Sequence, residues 1–221
     1  EISECLVGSE MCIRDRLKTE LLAPAGSLEV IYPAVRMGAN AVYLGADIFS
    51  ARGNAGNFNR EQLLEAVKYC HARNVAVHLA CNTLIHDDEM ESALNLIKYA
   101  CEIGIDAIII QDIGLVSLIR KAAPNMTLHA STQMSVHTAE AAKMLYDMGF
   151  ERVVLARELS KTEIKEIADK LKSMNCPIEL EVFVHGALCM SVSGQCYMSA
   201  MLGGRSGNRG LCAQPSRLPF N

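Results

Sequence analysis

The feature that most constrains this chain is a repeat of short apolar runs separated by amphipathic stretches, sustained from Glu20 almost to the C-terminus. The runs are ELLAPAG (20–26), AVYLGAD (41–47), AVHLACNTL (76–84), AIIIQD (107–112), TLHASTQ (127–133), RVVLARE (152–158) and LEVFVHG (180–186). Between them, apolar residues recur every three or four positions, as in REQLLEAVKYCHARN (60–74) and SKTEIKEIADKLKSM (160–174). That is the period of a helix with one buried face. The glycines of MGAN, EIGID and DMGF each fall after a helical stretch and before the next run, where helices stop. Seven β–α units in succession predict a parallel sheet, because consecutive parallel strands need a crossover between them.

Two parallel architectures compete. An open doubly wound sheet usually carries a phosphate loop after its first strand, and no G-x-G-x-x-G follows Pro24. A closed barrel gathers polar side chains at the C-terminal ends of its strands. The runs end in such residues: Asp47, Asn82-Thr83, Gln111-Asp112, Ser131-Thr132-Gln133, Arg157-Glu158 and His185-Gly186. The expected fold is therefore α/β, a (β/α) TIM-like barrel over residues 20–221. The chain ends at CAQPSRLPFN with no closing helix, so the barrel reads as truncated before its last unit. Residues 1–19 show no period and read as a disordered or extraneous leader, which sets aside Cys5 and Cys12.

A formal charge of −4 argues against a purely electrostatic nucleic-acid binder but leaves room for a local basic patch. The longest apolar runs are strand-sized and no secretion signal is recognisable, so the expected location is the cytoplasm, with no membrane contact. Nine cysteines, an odd number in a chain of 221 residues, make a poor disulfide framework. Cys70, Cys81, Cys101 and Cys176 are scattered and read as packed thiols. Only Cys189, Cys196 and Cys212 cluster, in the glycine-rich segment CMSVSGQCYMSAMLGGRSGNRGLC (189–212). Their spacing lacks the C-x₂-C knuckle of structural zinc. Widely spaced thiols on a glycine-rich loop suit a bulkier iron–sulfur core. Buried loop thiols, a redox pair, or a nucleophilic Cys189 with His185 are the alternatives.

The stretch ELEVFVHGALCMSVSGQCYMS (179–199) resembles the hallmark of the collagenase-like peptidase family, the unassigned-type peptidase family 32. Glu181, Phe183, Gly186, Ala187, Leu188, Cys189, Gly194, Cys196, Met198 and Ser199 fill its fixed positions. Within that family, ARGNAGN, NTLIHDDE, IDAIIIQDIGL, LHASTQ, VLAREL and GGRSGNRG resemble the ribosomal RNA 5-hydroxycytidine synthase branch. The resemblance covers residues 20–221 and implies a barrel. It also implies oxygen-independent hydroxylation at C5 of an RNA pyrimidine, foremost a cytidine of ribosomal RNA, with prephenate as oxygen donor. A 4Fe-4S cluster held by Cys189, Cys196 and Cys212 is implied as well. Many relatives have a cysteine four positions after Cys212, where this chain has Ser216, so the fourth ligand is expected beyond Asn221. Cys81 is a poor substitute: if Asn82 faces the mouth, strand alternation turns Cys81 outward.

The remaining roles follow from placement at the mouth. His185 is a candidate to move a proton or to hydrogen-bond a cluster sulfur. Arg157 and Glu158 are catalytic candidates that could instead pair with each other. Asn54, Asn82, His129 and Gln133 are candidate substrate contacts, and Asn57 is a turn former or a ligand reader. Arg205, Arg209 and Arg217 suit RNA phosphates or the carboxylates of prephenate, for which a guanidinium fork is built. His86 with Asp87 and Asp88 is either metal-like or a helix cap. Two other functions stand against the hydroxylase. One is a collagenase-like peptidase, although neither H-E-x-x-H nor G-x-S-x-G is present. The other is an inactive fragment or scaffold. No sequence feature addresses oligomeric state.

Overall fold

The computed structural model describes residues 19–51, 56–186, 189 and 191–215. Seven strands form one parallel sheet in chain order: β1 (Leu22–Pro24), β2 (Ala41–Gly45), β3 (Ala76–Cys81), β4 (Ala107–Ile110), β5 (Thr127–Ala130), β6 (Arg152–Val154) and β7 (Glu179–Glu181). Six helices make the crossovers: α1 (Leu28–Arg36), α2 (Arg60–His71), α3 (Met90–Ile103), α4 (Ile113–Ala122), α5 (Ala139–Asp147) and α6 (Lys161–Ser173). A short α7 (Met198–Gly203) follows β7.

Local chemistry sets the boundaries. Asn59 accepts the Gln62 N–H at 2.9 Å, and Gln62 Oε1 returns the bond to Asn59 N at 3.0 Å, closing the first turn of α2. Ser160 and Asp112 cap α6 and α4 through their side-chain oxygens. At the other end of α3, Gly104 takes φ +84°, a conformation that a side chain would strain.

Strand alternation divides the buried residues into two sets. Leu44, Leu79, Ile108, Leu128 and Val153 face the helices and meet the stripes of Leu63, Leu96, Leu115 and Leu145 in one core. Cys81 lies in that helix-facing core, as the alternation argument expects. Burial of each large side chain there contributes about 1.5–3 kcal/mol. Ala41, Ala80, Ala107, Ile109, Val154 and Ala156 are buried outside that core and line the inner face.

The sheet is an open TIM-like barrel, and one ion pair shows its curl. In a flat sheet, β1 and β6 would stand about 24 Å apart, five strand spacings. Instead Arg152, at the start of β6, reaches Glu20 beside β1 at 2.6 Å. The same guanidinium holds Glu179 at 2.6 Å and stands 3.6 Å from Glu181 on β7. Beside this hub are His78 and His129, whose rings meet edge to face with centroids 4.7 Å apart. Both are nearly excluded from solvent, and neither Nδ1 has a hydrogen-bond partner. They line a cavity of about 400 Å³ at the N-terminal end of the barrel, with Asp106, Thr127 and Glu179.

This corrects the expectation for His129. It does not reach the mouth. Its register partner is Arg152, the first residue of β6, so its inward side chain belongs to the barrel floor. β7 is also shorter than the LEVFVHG run suggests. It pairs with β6 over three residues, and Val182, Phe183 and Val184 beyond it are exposed.

Candidate active site

At the C-terminal ends of the strands, the inward alternation continues into polar residues. Asn82, just past β3, accepts the Ala51 N–H at 3.0 Å and donates to Ser131 Oγ at 3.4 Å. Ser131 Oγ also accepts the Gln133 N–H at 3.2 Å. Asp112 has a structural role, accepting from Leu115 N at 2.8 Å and Ile85 N at 3.2 Å, one bond to each carboxylate oxygen. A cavity of about 420 Å³ opens among Leu84, Gln111, Asp112, Ile113, Gly114, Gln133 and Met134.

The cysteine segment forms a strap over this rim, anchored at two places. The first anchor is Ser193, which is fully buried. Its N–H and its hydroxyl both donate to the Glu158 carboxylate, the hydroxyl at 3.1 Å. Arg157 donates to Ser193 Oγ from its backbone at 3.3 Å and from Nε at 3.2 Å. The Ser135 hydroxyl donates to the Ser193 carbonyl. Gly194 follows at φ +72°, and any Cβ there would overlap the Gln133 carbonyl oxygen. Burial opposes ionisation of Glu158, but hydrogen bonds from its own backbone and from Ser193, with His137 Nε2 at 3.7 Å, hold its carboxyl below the ordinary range.

The second anchor is Arg209, which grips Glu89 with both nitrogens at 3.0 and 2.5 Å and donates to the Leu84 carbonyl at 3.2 Å. The hydrogen bonds from Arg209, then the His86 N–H, lower the Glu89 carboxyl to about 2. The strap thus runs from the β5–β6 side of the mouth to the connection between β3 and α3.

Its thiols differ from the buried ones of the barrel; Cys101, expected to be packed, is instead exposed near the end of α3. Cys70, Cys81 and Cys176 are buried, and burial pushes Cys70 up to about 11 and Cys81 up to about 12. Cys189, Cys196 and Cys212 are half-buried. The Cys189 thiol is lowered by a backbone hydrogen bond at Ser191, against burial, with help from the Arg157 charge. Cys212 Sγ receives the Gln214 N–H at 3.3 Å and lies 3.9 Å from the Ser199 hydroxyl. A Cβ on Gly207 would come within 3.8 Å of Cys212 Cβ and 3.9 Å of the Cys196 carbonyl oxygen, so this glycine lies close to both. Accessible thiols with N–H and guanidinium donors nearby are the donor chemistry that an iron–sulfur cluster takes. Among the described residues, however, no three His, Cys, Asp or Glu side chains converge closely enough to bind a metal ion. The thiols share the strap without meeting at a point.

The structure brings Asn82, Gln133, Arg157, Glu158 and the three thiols to one rim. Arg157 and Glu158 do not simply pair with each other; they hold the strap. Arg209 corrects the expectation of a ligand-binding arginine, because Glu89 already occupies its guanidinium. Arg205 is exposed and has no ion pair among the described residues. His185 is exposed and makes no hydrogen bond among the described residues, so its proposed partnership with Cys189 gains no support. The His86 N–H bonds Glu89 at 2.9 Å, which favours the capping reading of HDDE. Asn57 packs its Oδ1 towards Gly45, where a Cβ would crowd it. Asn54 and Arg217 lie outside the described residues. Sequence reasoning missed Ser193, Ser135, His137 and Glu89. A lone serine in VSG carries no pattern; only its position before the hallmark Gly194 could have marked it.

A parallel barrel with a cysteine-bearing strap pinned over its C-terminal mouth is the class that fold and site define. Within it, the chain belongs to peptidase family U32, whose family model matches residues 26–221. It is 42% identical over 203 residues to the 23S rRNA 5-hydroxycytidine C2501 synthase of Escherichia coli, covering 92% of this chain and 30% of that protein. It is 37% identical to tRNA hydroxylation protein P of the same bacterium, over 92% of this chain and 44% of that one. It is 35% identical to a protein named collagenase from Porphyromonas gingivalis, over 90% and 49%. The chain thus spans between 30% and 49% of the length of these relatives. Among solved structures, the U32 peptidase Mk0906 superposes with a TM-score of 0.61 at 15% identity, covering 75% of this chain and 67% of that one. At that identity the likeness shows the fold.

Proposed function

We propose that this chain carries the barrel and thiol strap of an oxygen-independent RNA hydroxylase acting at C5 of a pyrimidine, foremost a cytidine. The observation that supports this most is the strap itself. It brings three accessible thiols over a polar rim and a base-sized cavity, in a chain related to proteins named for rRNA and tRNA hydroxylation. Cys189, Cys196 and Cys212 would hold a 4Fe-4S cluster, which when bound supplies electron transfer or Lewis-acid polarisation at the mouth. The chain's own residues do the positioning. Glu158 and Ser193 fix the strap, Arg157 stabilises the Cys189 thiolate, and Arg205 is free to take a phosphate or a donor carboxylate such as those of prephenate. The target base must leave its stack to enter the cavity. An RNA substrate suits the cytoplasm, and no helix among the described residues is long and apolar enough to cross a membrane.

One observation bears on the peptidase reading. Ser193, Glu158 and His137 bring a hydroxyl, a carboxylate and an imidazole together, the components of a hydrolytic triad. The Ser193 hydroxyl is fully buried, however, and donates to the carboxylate rather than to the imidazole. It cannot reach a peptide, so the trio serves as an anchor.

The test is anaerobic purification of the full gene product, with iron and sulfide analysis and an absorbance scan, beside mass spectrometry of RNA from a deletion strain. Bound iron and sulfide, lost in Cys189→Ala, together with the disappearance of one hydroxylated pyrimidine, is the expected result. Unchanged RNA hydroxylation in the deletion strain overturns the function, and colourless metal-free protein overturns the cluster.

A further inference from the structure

Two hydrogen-bond donors converge on the sulfur of Cys212. The Gln214 N–H, two residues on, reaches Sγ at 3.3 Å. Gln214 takes φ 55°, the left-handed region that glycine favours, in the turn that delivers this N–H. The second donor is the Ser199 hydroxyl of α7, 3.9 Å from Sγ. Ser199 is only 2% exposed, so solvent does not compete for its hydroxyl. Its oxygen accepts the Ala213 N–H at 3.0 Å, which leaves the hydroxyl hydrogen in need of an acceptor. Among the described residues, that acceptor is Cys212 Sγ. Cys189 repeats the arrangement nearer the start of the strap. The Ser191 backbone, again two residues on, bonds its sulfur, with the Arg157 guanidinium beside it.

A neutral thiol is a weak acceptor, whereas hydrogen bonds to a charged acceptor are about twice as strong. Donors buried against a sulfur therefore stabilise chiefly its anionic form, the form that ligates metal. The buried barrel thiols Cys70 and Cys81 receive no such donor among the described residues. We infer that Ser199 is a positioning residue for the cluster: its buried hydroxyl donates to the Cys212 thiolate, orients that ligand and raises the electron affinity of the bound iron–sulfur core. Reduction adds negative charge that spreads onto the ligating sulfurs. A donor fixed on one of them stabilises the reduced state more than the oxidised one. This role rests on the cluster reading above and belongs to a residue outside the ligand set.

The experiment is an anaerobic redox titration of the full gene product, read by electron paramagnetic resonance of the reduced cluster. Dithionite supplies the electron, and iron and sulfide are counted in every sample. Ser199→Ala and Ser199→Val remove the hydroxyl, and Ser199→Thr keeps it. Threonine and valine share one branched shape, so the difference between those two variants isolates the O–H group. At a fixed potential, losing this donor should move the oxidised-to-reduced ratio about threefold to tenfold towards the oxidised form, a midpoint lower by about 30–60 mV for one electron. Iron content should not change, and Ser199→Thr should titrate with the wild type. Alanine and valine variants that titrate with the wild type, or a threonine variant displaced as far as the valine one, overturn the inference and leave the cluster standing. Iron lost from the alanine and valine variants but fully kept by the threonine one also overturns it, because the hydroxyl would then serve to hold the turn at Ala213. Wild-type protein without iron or sulfide overturns the cluster reading itself, and the role of Ser199 with it.

Discussion

The barrel floor makes a quantitative prediction about acid. His78 and His129 are buried as neutral rings, and burial is the main cause that lowers them from 6.5 to about 4 and about 2. In the unfolded chain both titrate normally, so on acidification the unfolded state binds protons that the folded state refuses. Stability is therefore fully present above pH 6.5 and falls as pH drops from there towards the folded values. Between pH 7 and pH 5 each histidine costs about 2 kcal/mol, or about 4 kcal/mol for the pair. The groups facing them modify this. Glu181 is raised by burial, so it takes up its proton more readily in the folded state and partly offsets the loss at the acid end. Glu20 is lowered by Arg152 in spite of its burial, and its contribution is lost only below about pH 4.5. Asp106 and Glu179 complete the surroundings. The assay is urea unfolding followed by circular dichroism at half-unit pH steps, on wild type and on His78→Asn with His129→Asn. The double variant should lose most of the slope between pH 7 and 5, whatever its baseline stability. Equal slopes in the two proteins would refute the reasoning.

Three further outcomes follow from the strap. Ser193→Ala leaves the Glu158 carboxylate and the Arg157 donors short of a partner, at a cost of about 1–3 kcal/mol; hydrogen exchange at residues 189–212 should accelerate while the strands stay protected. Gly194→Ala forces a left-handed residue against the Gln133 carbonyl and should free the same segment at a cost of about 2 kcal/mol, read as faster proteolysis within the strap. Glu89→Ala releases Arg209 from a half-exposed ion pair worth about 1 kcal/mol after solvent screening, and should raise protease sensitivity near residues 205–212 without changing the melting temperature of the barrel.

Much of this molecule is written locally. The alternation of strand-sized runs and helical stripes fixed the order of the elements, because each period reports the burial of one face and needs no knowledge of partners. Gly104 could be read as a helix stop for the same reason: one residue's backbone conformation decides it. Outward-facing Cys81 followed from simple alternation once Asn82 was set at the mouth. The thiols of the strap stood out because three lie close together in a segment with no helical or strand period.

What only the tertiary structure decided are the contacts between residues far apart in the chain. Arg209 and Glu89 are 120 positions apart, and Ser193 and Glu158 are 35 apart. No local pattern tells a free arginine from a tethered one, or a solvated serine from a buried hub. His129 looked like a rim residue because its run ends in polar groups, yet strand register and curl place it on the floor beside His78 and Arg152. Local period is set by short-range sterics and one-sided burial, which a single stretch of sequence records. The curl of the sheet, and with it the meeting of Glu20 and Arg152 across 132 positions, depends on how all seven strands twist together, and no single stretch contains that.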